Sequence, residues 1–197
     1  MKTPTLLNSL RAFATATALL ASFSLSASEI PASIDQLEDS NKNELGHQRL
    51  FMDDTSVGGQ TTFAHSVEEG VLIAKGKISP PRGQPGWASA VFLLTSDGTA
   101  ADLSEYEGIR LLIRINKGTL SVSANSTEVT NFDYHAAPLA RAHDKAFHEV
   151  KIPFSSMKRA WSQQTELNTK TIASLSLVAF GLQAGDFEYE LDEIGFY

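Results

Sequence analysis

The chain has 197 residues, 42% of them hydrophobic and 20% charged, with a formal net charge of -7 and no cysteine. That length and composition suit one ordinary soluble domain, exclude two large ones, and remove disulfides, thiolate nucleophiles and cysteine-based metal centres together. The acidic balance argues against nucleic acid as a partner, because affinity for a phosphate backbone rests on clustered Lys and Arg.

In chain order, residues 1–28 carry only two charges, Lys2 and Arg11, and Ala12 to Leu25 is an apolar stretch of mostly small residues. A basic start, an apolar centre and the small residues of Leu25-Ser26-Ala27-Ser28 follow the pattern of a secretory signal peptide. The expectation is a periplasmic or secreted protein, with mitochondrial import as the alternative address. The apolar run falls short of the about 18 residues that a span needs, so stable membrane insertion is not expected. Residues 29–46 are polar and acidic with scattered aliphatics, and read as a linker or a loosely ordered N-terminal segment. The domain proper is expected over 47–197.

From His47 onward short apolar runs alternate with turn signals such as Gly58-Gly59, Glu69-Gly70, the Pro80 to Gly86 loop, Asp97-Gly98 and Lys117-Gly118. This spacing predicts an all-β sandwich or barrel. Strands are expected at Val71 to Ile78, Ala88 to Thr95, Ile109 to Ile115, Leu120 to Ala124, Phe147 to Ile152, Leu175 to Leu182 and Phe187 to Tyr197. In the third of these, Ile109, Leu111, Ile113 and Ile115 share one face, and Arg110, Leu112 and Arg114 the other. In the last, Phe187, Tyr189 and Leu191 hold odd positions but Ile194 and Phe196 even ones. Either a β-bulge at Asp192-Glu193 restores the pattern, or both faces of that strand are partly buried. Helix is expected only at Phe154 to Trp161 and in a turn at Leu103 to Tyr106.

Local signatures of chemistry are missing. The five histidines are scattered without the HExxH spacing of a zinc helix, and there is no nucleophile elbow, phosphate loop or dinucleotide fingerprint. The paired acids Asp53-Asp54 and Asp192-Glu193 leave glycoside hydrolysis open, though caps and turn formers are the commoner role for loop acids. Trp87, after the proline-rich loop, and Phe132, Tyr134 and Trp161, in polar surroundings, are candidate binding residues with flat faces for a sugar or a peptide. Asn125-Ser126-Thr127 matches a glycosylation sequon.

The run Phe51-Met52-Asp53-Asp54-Thr55-Ser56-Val57-Gly58-Gly59-Gln60-Thr61-Thr62-Phe63 resembles the N-terminal signature of the NADH:ubiquinone oxidoreductase complex I intermediate-associated protein 30 family: an Asp, a Gly-Gly pair a few residues on, then a hydroxyl residue, here displaced to Thr61 by Gln60. Gly76-Lys77-Ile78-Ser79, Gly86-Trp87-Ala88-Ser89, Asp102 to Ile109, Val150-Lys151-Ile152-Pro153-Phe154 and Phe187 to Tyr197 follow in the family's order. The resemblance implies a jelly-roll β-sandwich of the galactose-binding-domain-like type. It also implies two jobs, an assembly factor that holds protein intermediates or a carbohydrate-binding module, and fold does not choose between them. In such sandwiches Asp53, Asp54 and Asp192 would be placed to hold a structural Ca²⁺, against the alternative that the first two cap a turn. The functional expectation is a non-catalytic exported binding domain with a protein partner, a glycan-binding module as the alternative, and a small hydrolase third.

Overall fold

A computed structural model describes residues 29–197. Twelve strands, all paired antiparallel, form two sheets (β1 Ser33–Asp35, β2 Leu50–Asp53, β3 Thr62–Glu68, β4 Val71–Ile78, β5 Gly86–Leu93, β6 Gly108–Lys117, β7 Thr119–Ser126, β8 His135–Leu139, β9 His148–Pro153, β10 Lys158–Arg159, β11 Ile172–Gly181, β12 Gly185–Phe196). The first sheet runs β3-β4-β12-β6-β9, with β1 added to the far end of β12; the second runs β10-β8-β7-β11-β5-β2. This is the sandwich that the alternating apolar runs predict.

Strand alternation builds the core. Ile109, Leu111 and Ile113 of β6 and Phe187, Tyr189 and Leu191 of β12 are buried, as are Ala88, Ala90 and Phe92 of β5 and Leu175, Leu177 and Ala179 of β11. Each large apolar side chain buried in this way contributes roughly 1.5–3 kcal/mol before chain entropy is counted. The bulge in the last strand is present. Leu191 pairs with Ile113 and Glu193 with Leu112, leaving Asp192 as the extra residue, and Ile194 and Phe196 return to the core.

Three expectations need correction. Residues 29–46 are not a linker: Ser33 pairs with Gly195, and Ile30, Ile34 and Leu37 lie in the core. The segment is held by a fully buried ion pair, with Arg49 donating to Asp35 through Nε at 2.5 Å and Nη2 at 2.8 Å while its guanidinium also donates to the Asp39 and Lys42 carbonyls. A buried charge is tolerated only with such complete pairing, and the domain therefore begins well before residue 47. Phe154 to Trp161 is not a helix but one 3-10 turn, Phe154–Ser156, followed by β10. The third concerns the acids, described below. The expected signal peptide, residues 1–28, lies outside the described residues.

Candidate functional site

The outward positions of β8, β7, β11, β5 and β2 in the second sheet form a face without charge. Register places Pro138, Ser121, Val178, Ser89 and Met52 in one row across β8, β7, β11, β5 and β2, and Ala136, Ser123, Ser176, Val91 and Leu50 in the next. Among the described residues, no outward side chain of these five strands is acidic, basic or a histidine; Lys158, opposite Ala136 on β10, is the nearest cation in register.

Five serines form the floor. Ser89, Ser121, Ser123, Ser174 and Ser176 point away from the core and are nevertheless buried, between 1% and 7% exposed. Two of the five hydroxyls are engaged within the floor: Asn125 Nδ2 donates to Ser174 Oγ at 2.9 Å and to Ser176 Oγ at 2.8 Å. Asn125 is thus a fixed part of the floor, with its amide already engaged. Ser123 Oγ is fully buried and has no hydrogen-bond partner among the described residues. Such a group costs free energy unless something else bonds it.

Aromatic side chains stand at both ends of this floor. At one, Trp87 is directly opposite Phe180, which is 37% exposed. The Trp87 backbone is set by Asp54, the buried acid of the signature run. Its carboxylate accepts from Trp87 N–H at 3.1 Å, Thr61 N–H at 3.0 Å and Thr61 O–H at 2.8 Å. A Cβ on Gly59 would fall 2.1 Å from Asp54 Cγ, so only glycine lets the turn close over the carboxylate. Thr61 therefore supplies the hydroxyl that Gln60 lacks.

At the other end, about 20 Å away along β7, the half-buried Tyr134 immediately precedes inward-facing His135. Burial pushes the Tyr134 phenol up, so it is a neutral hydroxyl. Next to it, the buried Asp133 carboxylate accepts from the backbone N–H groups of Tyr134, Ala160, Trp161 and Ser162, from the Ser162 hydroxyl, and from Arg159 Nε at 2.8 Å. Burial alone would raise its pKa; the donors, led by the Ser162 hydroxyl, outweigh it and hold the carboxyl far below the usual range. Phe132 has a left-handed backbone, φ 63°, and is 95% exposed, and Trp161 is 62% exposed. Both flank the Asp133 clamp, so the structure fixes the backbone that presents them.

The four aromatic candidates are therefore distributed, Trp87 at one end and Tyr134, Phe132 and Trp161 at the other. The acids named for Ca²⁺ do not converge. Asp53 caps a 3-10 turn, Asp54–Val57, by accepting from Thr55 N–H at 3.0 Å. Asp54 has the donors given above and lies by Gly86, next to Ile78 at one end of β4. Asp192 follows Leu191, which pairs with Leu72 at the other end. Six residues of strand, about 20 Å, separate the two. Among the described residues no three His, Asp or Glu side chains are grouped so as to hold a metal ion.

Sequence reasoning singled out the aromatics and missed the serines, Asn125 and Phe180. The available signal was the absence of charge in GWASAVFL, TLSVSANS, HAAPL and IASLSLVAFG, four strands that turn out to be neighbours in one sheet.

Among solved structures, the chain is similar to the family 11 carbohydrate-binding module of a cellulosomal cellulase of Clostridium thermocellum, with 16% identity, a TM-score of 0.57, and 83% of this chain and 92% of that one covered. A family 11 module from the same organism, in complex with a β-1,3-1,4-mixed-linked tetrasaccharide, aligns with 16% identity and a TM-score of 0.50 over 75% of this chain and 86% of that one. An agarase, AgWH50C, matches at 10% identity and a TM-score of 0.56, over 83% of this chain but only 24% of its own. At these identities the likeness establishes the sandwich fold. No curated protein sequence matches the chain. The family model for Complex I intermediate-associated protein 30 (CIA30) matches residues 40–191, and the chain belongs to that family.

Proposed function

We propose that this domain is a non-catalytic binding module that holds an uncharged saccharide chain across the outer face of the second sheet. The observation that carries this reading is the serine floor itself: five covered hydroxyls and one amide, free of charge and bounded by Trp87 and Phe180 at one end and Tyr134 at the other. A neutral sugar offers hydroxyls to such a floor and C–H faces to aromatic rings, and needs no counter-charge. The same face holds no acid or histidine that could serve as general acid, base or nucleophile, which favours retention over turnover. The solved sandwich bound to a mixed-linked tetrasaccharide supports the choice of probe. An exported chain, as the composition of residues 1–28 suggests, would meet polysaccharides.

The test is affinity electrophoresis in gels containing mixed-linkage β-glucan or agarose, with intact protein and the variant Trp87→Ala. Retardation by one polymer, lost in the variant while the melting temperature stays within about 4 °C, is the expected result. A lack of retardation by any neutral polysaccharide would sink the proposal. A protein partner is the second reading, favoured by Leu50 and Met52, 40% and 49% exposed at the edge strand β2; it predicts that Met52→Lys abolishes capture of a protein and that Trp87→Ala leaves it intact.

A further inference from the structure

The loop from β8 to β9, residues 140–147, crosses from the second sheet to the first and closes a cavity of about 320 Å³ against the flank of the sandwich. Its floor includes Ile113, Ile115 and Val150, all from the inner side of the first sheet, and the loop contributes Arg141 and Lys145 to its wall. An apolar floor with a few polar groups at the mouth is the usual build of a small-molecule site.

The charges around this cavity are not equivalent. His148 is paired with Asp144 at 2.8 Å, and Arg114 with Glu190. Arg141 and Lys145, by contrast, have no carboxylate partner among the described residues. Arg141 and Lys145 thus leave two cationic groups free for an anion at the mouth of one apolar cavity.

The backbone at Lys145 carries a second, independent sign. Its φ of 57° lies in the left-handed region, which a lysine adopts at a cost. The surrounding bonds impose it: Arg114 Nη1 donates to the Lys145 carbonyl at 3.3 Å, and the neighbouring Ala146 N–H donates to Asp144 at 3.0 Å. Arg114 and Asp144 thus act as buttresses, and strain held in this way by its surroundings is a feature of ligand clamps.

We infer that this cavity is a site for a small organic carboxylate with an apolar body, the carboxylate held by Arg141 and Lys145 and the body lying on Ile113, Ile115 and Val150. The cavity lies on the flank at β6 and β9, away from the serine floor, so the inference stands or falls independently of the saccharide reading.

The experiment is an NMR titration of the intact protein with hexanoate, hexan-1-ol and inorganic sulfate, following the backbone amides of residues 140–150. Hexanoate is expected to shift these signals saturably, and the alcohol and sulfate to bind about tenfold more weakly or not at all. The double variant Arg141→Gln/Lys145→Gln should lose about tenfold in hexanoate affinity while its retardation by polysaccharide is unchanged. Equal binding of the alcohol would show that the cations play no part, and equal binding of sulfate that the apolar floor plays none. Undiminished hexanoate affinity in the double variant would also overturn the assignment.

Discussion

The two sheets bury similar apolar faces against each other and turn opposite faces to solvent. On the first sheet the outward side chains form a ladder of ion pairs across neighbouring strands: Arg110 with Glu193 and Glu149, Arg114 with Glu190, and Lys117 with Glu188 at 3.0 Å. Asn116 Nδ2 adds a hydrogen bond to Glu190 at 2.9 Å. On the second sheet the corresponding positions are serine, valine, asparagine and aromatic. A charged face stays hydrated and discourages contact, because a partner would have to strip water from every pair. An uncharged face of covered hydroxyls loses little on contact. On the proposed reading, the contrast separates a hydrated face from the face that binds.

The sharpest way to break this contrast is to place a charge on the neutral face. Ser121 is 7% exposed, with Pro138 and Val178 beside it in register. Ser121→Asp would bury a carboxylate without a donor, and is expected to cost roughly 3 kcal/mol and lower the melting temperature by about 6–12 °C. On the charged face Glu188→Ser removes an exposed partner of Lys117, and should cost less than about 1 kcal/mol. Similar melting temperatures for the two variants would mean that the serine floor is open and wet, and that the faces do not differ as described.

Part of this division was legible before any coordinates. The long strands of both sheets announce themselves by period-two alternation, and the parity change from Leu191 to Ile194 correctly marks the bulge. Others did not: β1, β2, β8 and β10 have two to five residues, too few to show a period, and the seven-residue β3, TFAHSVE, lacks a clean apolar alternation. The segment 29–46 looked like a linker because what holds it is not a local pattern but a pair of charges fourteen residues apart, Asp35 and Arg49. The calcium set failed for a related reason: which end of β12 lies near Asp54 depends on its register with β4, and nothing in either strand alone states it. The family signature, by contrast, was rightly located but its role is mechanical, with Asp54 tying Thr61 to Trp87.

Acid sharpens the comparison because only one face titrates. The Arg114 guanidinium bonded to Glu190, helped by Asn116 and opposed by burial, holds the Glu190 carboxyl below its ordinary value. A carboxyl lowered in the folded state stabilises it above the unfolded pKa of about 4.3, and that contribution is lost as pH falls through the folded value. Melting temperature should therefore decline below about pH 4, and Glu190→Gln should flatten that decline by the worth of one partly exposed ion pair, under about 1 kcal/mol. Asp133, held lower still, gives way at more acidic pH. Saccharide affinity should stay constant from pH 7 to pH 4 and with added salt, since the serine floor carries nothing to protonate or screen. A retardation that changed between those pH values would place the ligand on the titrating face instead.

The smallest effect is expected at Ser123, and it distinguishes a floor that packs from a floor that binds. Its hydroxyl is 1% exposed and unpartnered, while Ser174 and Ser176 in the same sheet accept from Asn125. Deleting an unpaired buried hydroxyl is neutral or stabilises by up to about 1 kcal/mol, so Ser123→Ala should melt at or slightly above the wild-type temperature. The same deletion at Ser176 removes an acceptor, leaves Asn125 with one bond fewer, and should destabilise by about 1 kcal/mol. If a saccharide supplies the partner that Ser123 lacks, Ser123→Ala should also weaken its retardation about fivefold, whereas a hydroxyl that only fills space would leave retardation untouched. Gain in stability together with loss in affinity is the combination that a packing role alone does not produce.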